Sequence, residues 1–494
     1  MILAFLGLES RGSIAITAKI VIMEVKPFKA FRFNASVVGD VGKCIAPPYD
    51  VISDDERDGL CRQSKYNIVH ITKGIVTASD DGQHNPYTRA AEYLQSWIAE
   101  GALQEDDKDT LYGYVQDFEL HGTAFQRLSF IALAKLEDFG KVVRPHEQVF
   151  EKPMLDRLNL ERATAARFGL VFMLYEDPQG IADQIITKAM TGASPTVARA
   201  SRPCSPGSAV RIEEQGQDAL ATSQPLIDFV DEQSVRHRLY AIAAEDEIEA
   251  VEAMMRDKSC IIADGHHRYT TGLKYMRESG NPKARYQMIA FTNTRQKGLV
   301  VLATHRLVGG IKDFGPSFLL DLKTNGFNIV RFQFTPDIRA KEHARQQMLR
   351  MLADLKSRHD RDVTAFGVYY MGADAFYVAV LEDRSPMNAA APNMSEAWRA
   401  LDVSVLQKLV LEGLLGLDEE KMGNPQYVEY VKDVPNAIDA MIEQVDAGRK
   451  QIAFFINPVK MQQLAAVTEA GERMPHKSTY FYPKMYTGLT IQKL

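Results

Sequence analysis

The chain has 494 residues, enough for two to four compact units at roughly 150 residues each. With 46% hydrophobic and 25% charged residues the composition is globular, neither disordered nor fibrous. A formal net charge of -6, from 58 Lys and Arg against 64 Asp and Glu, excludes a broad basic field for nucleic acid but leaves a local anion site open. The four cysteines, Cys44, Cys61, Cys204 and Cys260, form no CxxC pair and fit reduced thiols of a cytoplasmic protein.

Residues 1–22 carry two short apolar patches broken by Glu9, Ser10 and Arg11. They read as an extension, with Met23 opening the domain proper, and are too short and interrupted to span a bilayer. Residues 23–187 form an expected α+β region. Within it, "APPYDVIS" is a Pro-rich turn, and "PYTRAAEYLQSWIAEGAL" is an amphipathic helix with Tyr87, Ala91, Leu94 and Ile98 on one side. Two strands follow as a hairpin around His121-Gly122. In "RPHEQVFEKP" Pro145 suits a first helical position and Glu147 a first turn. Glu147 there either compensates a helix dipole or acts as a general base. The segment is no HExxH zinc motif, because Phe150 stands at the second histidine position.

Residues 188–228, rich in Ser, Ala, Gly and Pro, read as a linker or long loop. Strands and helices then alternate over 229–320, predicting a small α/β core. Inside it a β-prone run, "SCIIA", enters "DGHHR", and Tyr269, Leu273 and Met276 continue at helical spacing. Asp264 suits the N-cap and Gly265 the tight turn. The following amides lack intrahelical partners, so this turn offers an anion cradle to which His266, His267 and Arg268 add cationic donors. Adjacent histidines point about 100° apart on a helix, which disfavours joint chelation of one metal. The plainer alternative is a capped polar turn. "THRLV" puts His305 and Arg306 at the end of a buried strand as edge residues. A helix and a hairpin fill 321–400, an α+β insertion. Residues 401–494 end in "MPHKSTYFYPK", where Lys477, Ser478, Thr479 and Lys484 sit among aromatics as an anion-binding run or a polar strand face. Tyr49 and Asp50 in "IAPPYDVI" are a site wall or a simple turn. No P-loop, GxGxxG, GxSxG or protein-kinase signature is present.

Taken together, "PFKAFRFN", "IAPPYDVIS", "RPHEQVF", "DRLNL", "IADGHHRYTTGLKY", "ATHRLV" and "MPHKSTYFYPKMYTGL" resemble the DUF1015 family from about Val25 onward. "DGHHR" resembles the phosphate-binding turn of the ParB/sulfiredoxin superfamily, and three segments are similar to archaeal free-serine kinases. The resemblance implies an α+β fold with a ParB/sulfiredoxin-like nucleotide-binding core. It implies phosphoryl transfer from ATP or ADP, with Mg²⁺, to a small-molecule hydroxyl, foremost L-serine. Glu147 would be the base and His267 a catalytic neighbour, with Asp264, Gly265, His266, His267 and Arg268 on the nucleotide phosphates. His146, Lys477, Ser478, Thr479, Tyr49 and Asp50 would face the substrate, and Asp50 or Asp264 the metal. Sulfiredoxin chemistry is not implied, because His266 stands where its cysteine belongs. DNA and membrane partners are not expected, and a nucleotide-binding regulator or a phosphohydrolase are the alternatives.

Overall fold

The structure, a computed structural model, describes residues 23–192, 224–312, 314–357 and 363–494. Residues 1–22 and most of the expected linker lie outside the described residues. The fold is α+β and is organised by two sheets.

The first sheet takes its strands from β1 (Val25–Lys26), β2 (Leu111–Leu120), β3 (Thr123–Lys135), β4 (Val143–Pro145), β5 (Val171–Tyr175), β6 (Ile227–Val230), β7 (Arg236–Ile242), β8 (Cys260–Asp264) and β9 (Tyr286–Asn293). Their order is β4-β8-β5-β9-β3-β2-β7-β6, with β1 beside the far end of β3. The sheet is mixed: β8 runs parallel to β4 and antiparallel to β5, and β9 runs parallel to β5. The hairpin between β2 and β3 turns on His121 and Gly122, both at positive φ, as the sequence predicts. Segments read separately as 23–187 and 229–320 thus share one sheet, through pairings between residues 87 to 161 positions apart that local patterning does not reveal.

The second sheet is antiparallel throughout: β10 (Thr304–Val308), β11 (Phe327–Gln333), β12 (Thr364–Tyr370), β13 (Ala375–Leu381), β14 (Val428–Lys432) and β15 (Ile452–Ile456), in the order β11-β13-β12-β15-β10-β14. Strand β10 is therefore interior, and His305 and Arg306 are buried ladder residues rather than edge residues.

Alternation along the strands distributes the core into layers. On the first sheet Tyr112, Ile131, Phe172, Ile261 and Met288 face a central core, while their neighbours Leu111, Phe130, Val171, Ile262 and Ile289 face an outer one. Phe366, Phe454 and Tyr377 of the second sheet enter the same central core. The outer layer of the first sheet is closed by helices α2 (Ile181–Thr191), α3 (Glu245–Met255) and α4 (His266–Ser279); that of the second by α5 (Ile338–Ser357) and α6 (Ala437–Asp446). Because α4 leaves β8 at its C-terminal end, the "DGHHR" turn lies at the rim of the first sheet. The early helix α1 (Pro86–Ala99), capped by Asn85, buries Ala90, Leu94 and Trp97. That stripe lies slightly around the helix from the expected one, because the wide indole anchors the packing.

Candidate phosphate-binding site

The turn after β8 departs from the expected capping. Asp264 is the last strand residue and Gly265 is the N-cap, with φ 87° and ψ 28°. No side chain caps α4, so its first-turn amides keep the anion-binding character of an open helix start. A Cβ at Gly265 would lie 3.3 Å from Val171 Cα, which makes this close approach, as well as the left-handed backbone, a glycine requirement.

Asp264 is committed to cations. Its Oδ1 accepts from Lys484 Nζ at 2.7 Å and its Oδ2 from Arg268 Nη2 at 3.1 Å. Burial raises the carboxyl's pKa, but Lys484 and Arg268 outweigh it and hold the group well below the usual carboxylate range. Burial likewise disfavours the Lys484 ammonium, and Asp264 reverses this, leaving its pKa raised. Arg268 also donates to the Leu170 carbonyl and lies 3.9 Å from Asp50.

The two histidines act differently from the expected cationic donors. His266 is buried, and its Nε2 accepts the backbone N–H of both His146 (3.2 Å) and Glu147 (3.3 Å). His267 Nε2 accepts the Phe150 N–H at 3.1 Å. A nitrogen that accepts these bonds carries no proton, and burial first, with His146 next, holds His266 well below the ordinary histidine value. Burial also lowers His267, against Asp50 and Glu147. Both rings are neutral clamps on the PHEQ segment.

That segment is not helical where expected. Pro145 ends β4, paired with Ile262, and the next helix begins at Glu151 (Glu151–Thr164). Pro145 fits there because β4 is an edge strand, where a missing N–H is tolerated. Glu147 is thus a loop residue and compensates no helix dipole. Its carboxylate, about one-third exposed, stands 3.7 Å from His266 Nδ1 and 3.8 Å from His146 Nε2. His146 is fully buried: Nδ1 donates to the Ile262 carbonyl at 2.5 Å, and Nε2 accepts from the Thr479 hydroxyl at 2.8 Å. Burial lowers its pKa, although Glu147 pulls the other way.

The C-terminal segment closes the site. Met474 N–H donates to the His146 carbonyl, placing the run from His476 beside PHEQ. Thr479 meets His146; Ser478 is buried and spends its hydroxyl on the Pro475 carbonyl, so it reaches no substrate in this arrangement. Lys477 has φ 55°, and its carbonyl is held by Arg306 Nη2 at 3.2 Å. Sequence reasoning gave no site role to Lys432, Tyr480 or Arg306, and placed Lys484 only within the anion-binding run of the C-terminal motif. The ammonium groups of Lys432 and Lys484 lie 4.3 and 4.4 Å from the Tyr480 ring centre, and burial first, then Lys484 and Lys477, lowers the Lys432 pKa. This mutual repulsion marks a cation cluster that an anion would relieve. Lys484 lay in the motif as a basic residue among aromatics; Lys432 and Arg306 come from the second sheet with no local signal. Tyr49 is set aside from this cluster, stacked under Arg157 at 3.9 Å and lining a small cavity with Arg268. Among the described residues no group of three or more His, Cys, Asp or Glu is placed to hold a metal ion, and no helix is long and apolar enough to cross a membrane.

The chain belongs to the DUF1015 family, described as proteins of unknown function, whose model matches residues 25–202 and 206–404. No curated protein matches it. Among solved structures it is similar to a free serine kinase in complex with AMP, at 12% identity over 69% of this chain and 83% of that one, with a TM-score of 0.29. It is also similar to a conserved hypothetical protein from Pyrococcus furiosus (11% identity, 71% and 91% covered, TM-score 0.29). A third similar structure is SbnI with a C-terminal truncation from Staphylococcus aureus (7% identity, 72% and 84% covered, TM-score 0.30). At that degree of likeness neither activity nor substrate transfers.

Proposed function

We propose that this protein is a phosphotransferase with a ParB/sulfiredoxin-like nucleotide site, moving a phosphoryl group from ATP or ADP to a small-molecule hydroxyl, L-serine foremost. The observation that carries the reading is the clamp between the two motifs. His266 and His267 of the open helix start hold the backbone of the segment that presents Glu147, beside a cluster of lysines. Phosphoryl transfer requires charge neutralisation on the phosphates and a positioned base for the hydroxyl, and these are the two functions so joined.

In the reaction the substrate hydroxyl oxygen bonds to the terminal phosphorus, the bond from that phosphorus to the leaving phosphate oxygen breaks, and the hydroxyl proton passes to Glu147. The α4 amides, Lys432, Lys477 and Lys484 bind the phosphates. Lys477 and Thr479 flank the acceptor substrate, and Thr479 also fixes His146. Mg²⁺ carried by the phosphates would supply further charge neutralisation. Asp50 suits its surroundings better than Asp264, whose oxygens are both engaged by cations.

The test is to incubate the purified full chain with Mg²⁺ and ATP or ADP, with and without L-serine, and to look for phosphoserine by mass spectrometry. Serine-dependent product that disappears in Glu147→Gln while nucleotide still binds is the expected result. Nucleotide binding without product would indicate a regulator, and phosphate release independent of serine a hydrolase.

A further inference from the structure

Strand β10 presents alternate side chains to opposite faces. Arg306 points toward the Lys477 backbone, whereas His305 points to the helix-covered face of the second sheet. There it lines a pocket of about 380 Å³ shared with α5, with α6 and with the loop after β14.

The His305 side chain is only 3% exposed. Its Nδ1 accepts the Ile456 N–H at 3.2 Å, so in the neutral ring Nε2 carries the proton. That buried N–H has no hydrogen-bond partner among the described residues; Asp433 Oδ1 stands 3.6 Å away, beyond hydrogen-bond distance. Arg345, from α5, lines the same pocket and also keeps a buried Nε–H without a partner, while its outer nitrogens pair with Asp439 and Glu342. Helix α6 begins in the pocket at Asn436, in left-handed conformation and without a side-chain cap. The Ala437 amide is taken by the Val434 carbonyl, and Ile438 and Asp439 follow in the same uncapped turn.

These donors call for an acceptor-rich group, yet Asp433 stands beside them. A simple anion would be repelled by Asp433, and a simple cation would leave the His305 N–H unanswered. A molecule carrying both signs on neighbouring atoms satisfies both. We infer that this pocket is a second ligand site for a free α-amino acid, its carboxylate on His305 and the start of α6 and its ammonium on Asp433. The inference is independent of the phosphotransfer reading, since none of these residues belongs to the lysine cluster.

The test is thermal shift and titration calorimetry of the full chain against free L-α-amino acids, with acetate and methylamine as probes of a single sign. At least one amino acid is expected to bind saturably, the single-sign probes not. His305→Gln and Asp433→Asn should each weaken binding about ten-fold or more, while Lys477→Ala leaves it intact. If His305→Gln fails to fold, Asp433→Asn, at a partly exposed side chain, decides. Absence of binding by every amino acid would overturn the inference. So would binding that ignores the pocket substitutions or is lost in Lys477→Ala instead.

Discussion

Two carboxylates of the candidate site, Asp264 and Glu147, are held in opposite ways. Asp264 is gripped by Lys484 and Arg268 and kept charged. Glu147 faces two neutral imidazoles and contacts no cation at hydrogen-bond distance among the described residues. A carboxylate locked between cations is a poor proton acceptor, because protonation would forfeit both ion pairs. The same acidic group is thus tied into the architecture at one wall and left without a cationic partner among the described residues at the other, and the difference is made by neighbours rather than by residue type.

This contrast can be broken by exchanging each carboxylate for its amide. Glu147→Gln should cost turnover about 10²–10⁴-fold with little change in stability or nucleotide affinity, measured by steady-state kinetics and calorimetry. Retained turnover would remove the base assignment. Asp264→Asn should do the reverse at the level of folding. It leaves Lys484 and Arg268 uncompensated in a buried setting and should lower unfolding free energy by about 3–5 kcal/mol in denaturant titrations. A loss no larger than that of Glu147→Gln would erase the distinction.

Smaller effects sharpen it. Thr479→Val removes the donor to His146 Nε2, leaving a buried acceptor unpaired, at about 1–3 kcal/mol of stability. Gly265→Ala forces a side chain into left-handed backbone beside Val171, at roughly 1–2 kcal/mol. The gentlest probe is pH. Burial depresses His146, His266 and His267, so the folded chain binds fewer protons than the unfolded one. Their contribution is complete above the ordinary histidine value of about 6.5 and declines as pH falls below it. His476, held down to about 4 by burial, then by Lys477 and Arg306, carries the same trend lower. Denaturation midpoints that stay flat over this range would show that the neutral clamp contributes nothing.

The α+β character, the β2–β3 hairpin and the strand-turn-helix around "DGHHR" were legible because each is set by neighbours within a few residues: positive-φ turn residues and a change of apolar period from two to 3.6. The conformation of PHEQ was not legible, since Pro145 reads equally as a helix start or an edge-strand end and the choice is made by His266, 120 residues away. The histidines were assigned charge from their type, whereas burial and three backbone donors set them neutral. Lys432 and Arg306 were invisible for a related reason: only the second sheet brings them to the site.

The Lys484–Asp264 pair spans 220 residues of chain. During synthesis the glycine turn leaves the ribosome long before Lys484, so over those 220 residues of translation Asp264 has only Arg268 of its two cationic partners. The nascent chain therefore passes through a stage in which its first sheet can pair while the site stands incomplete. Competence would arrive as a late event, timed by emergence of residues 474–484 rather than by collapse of the core.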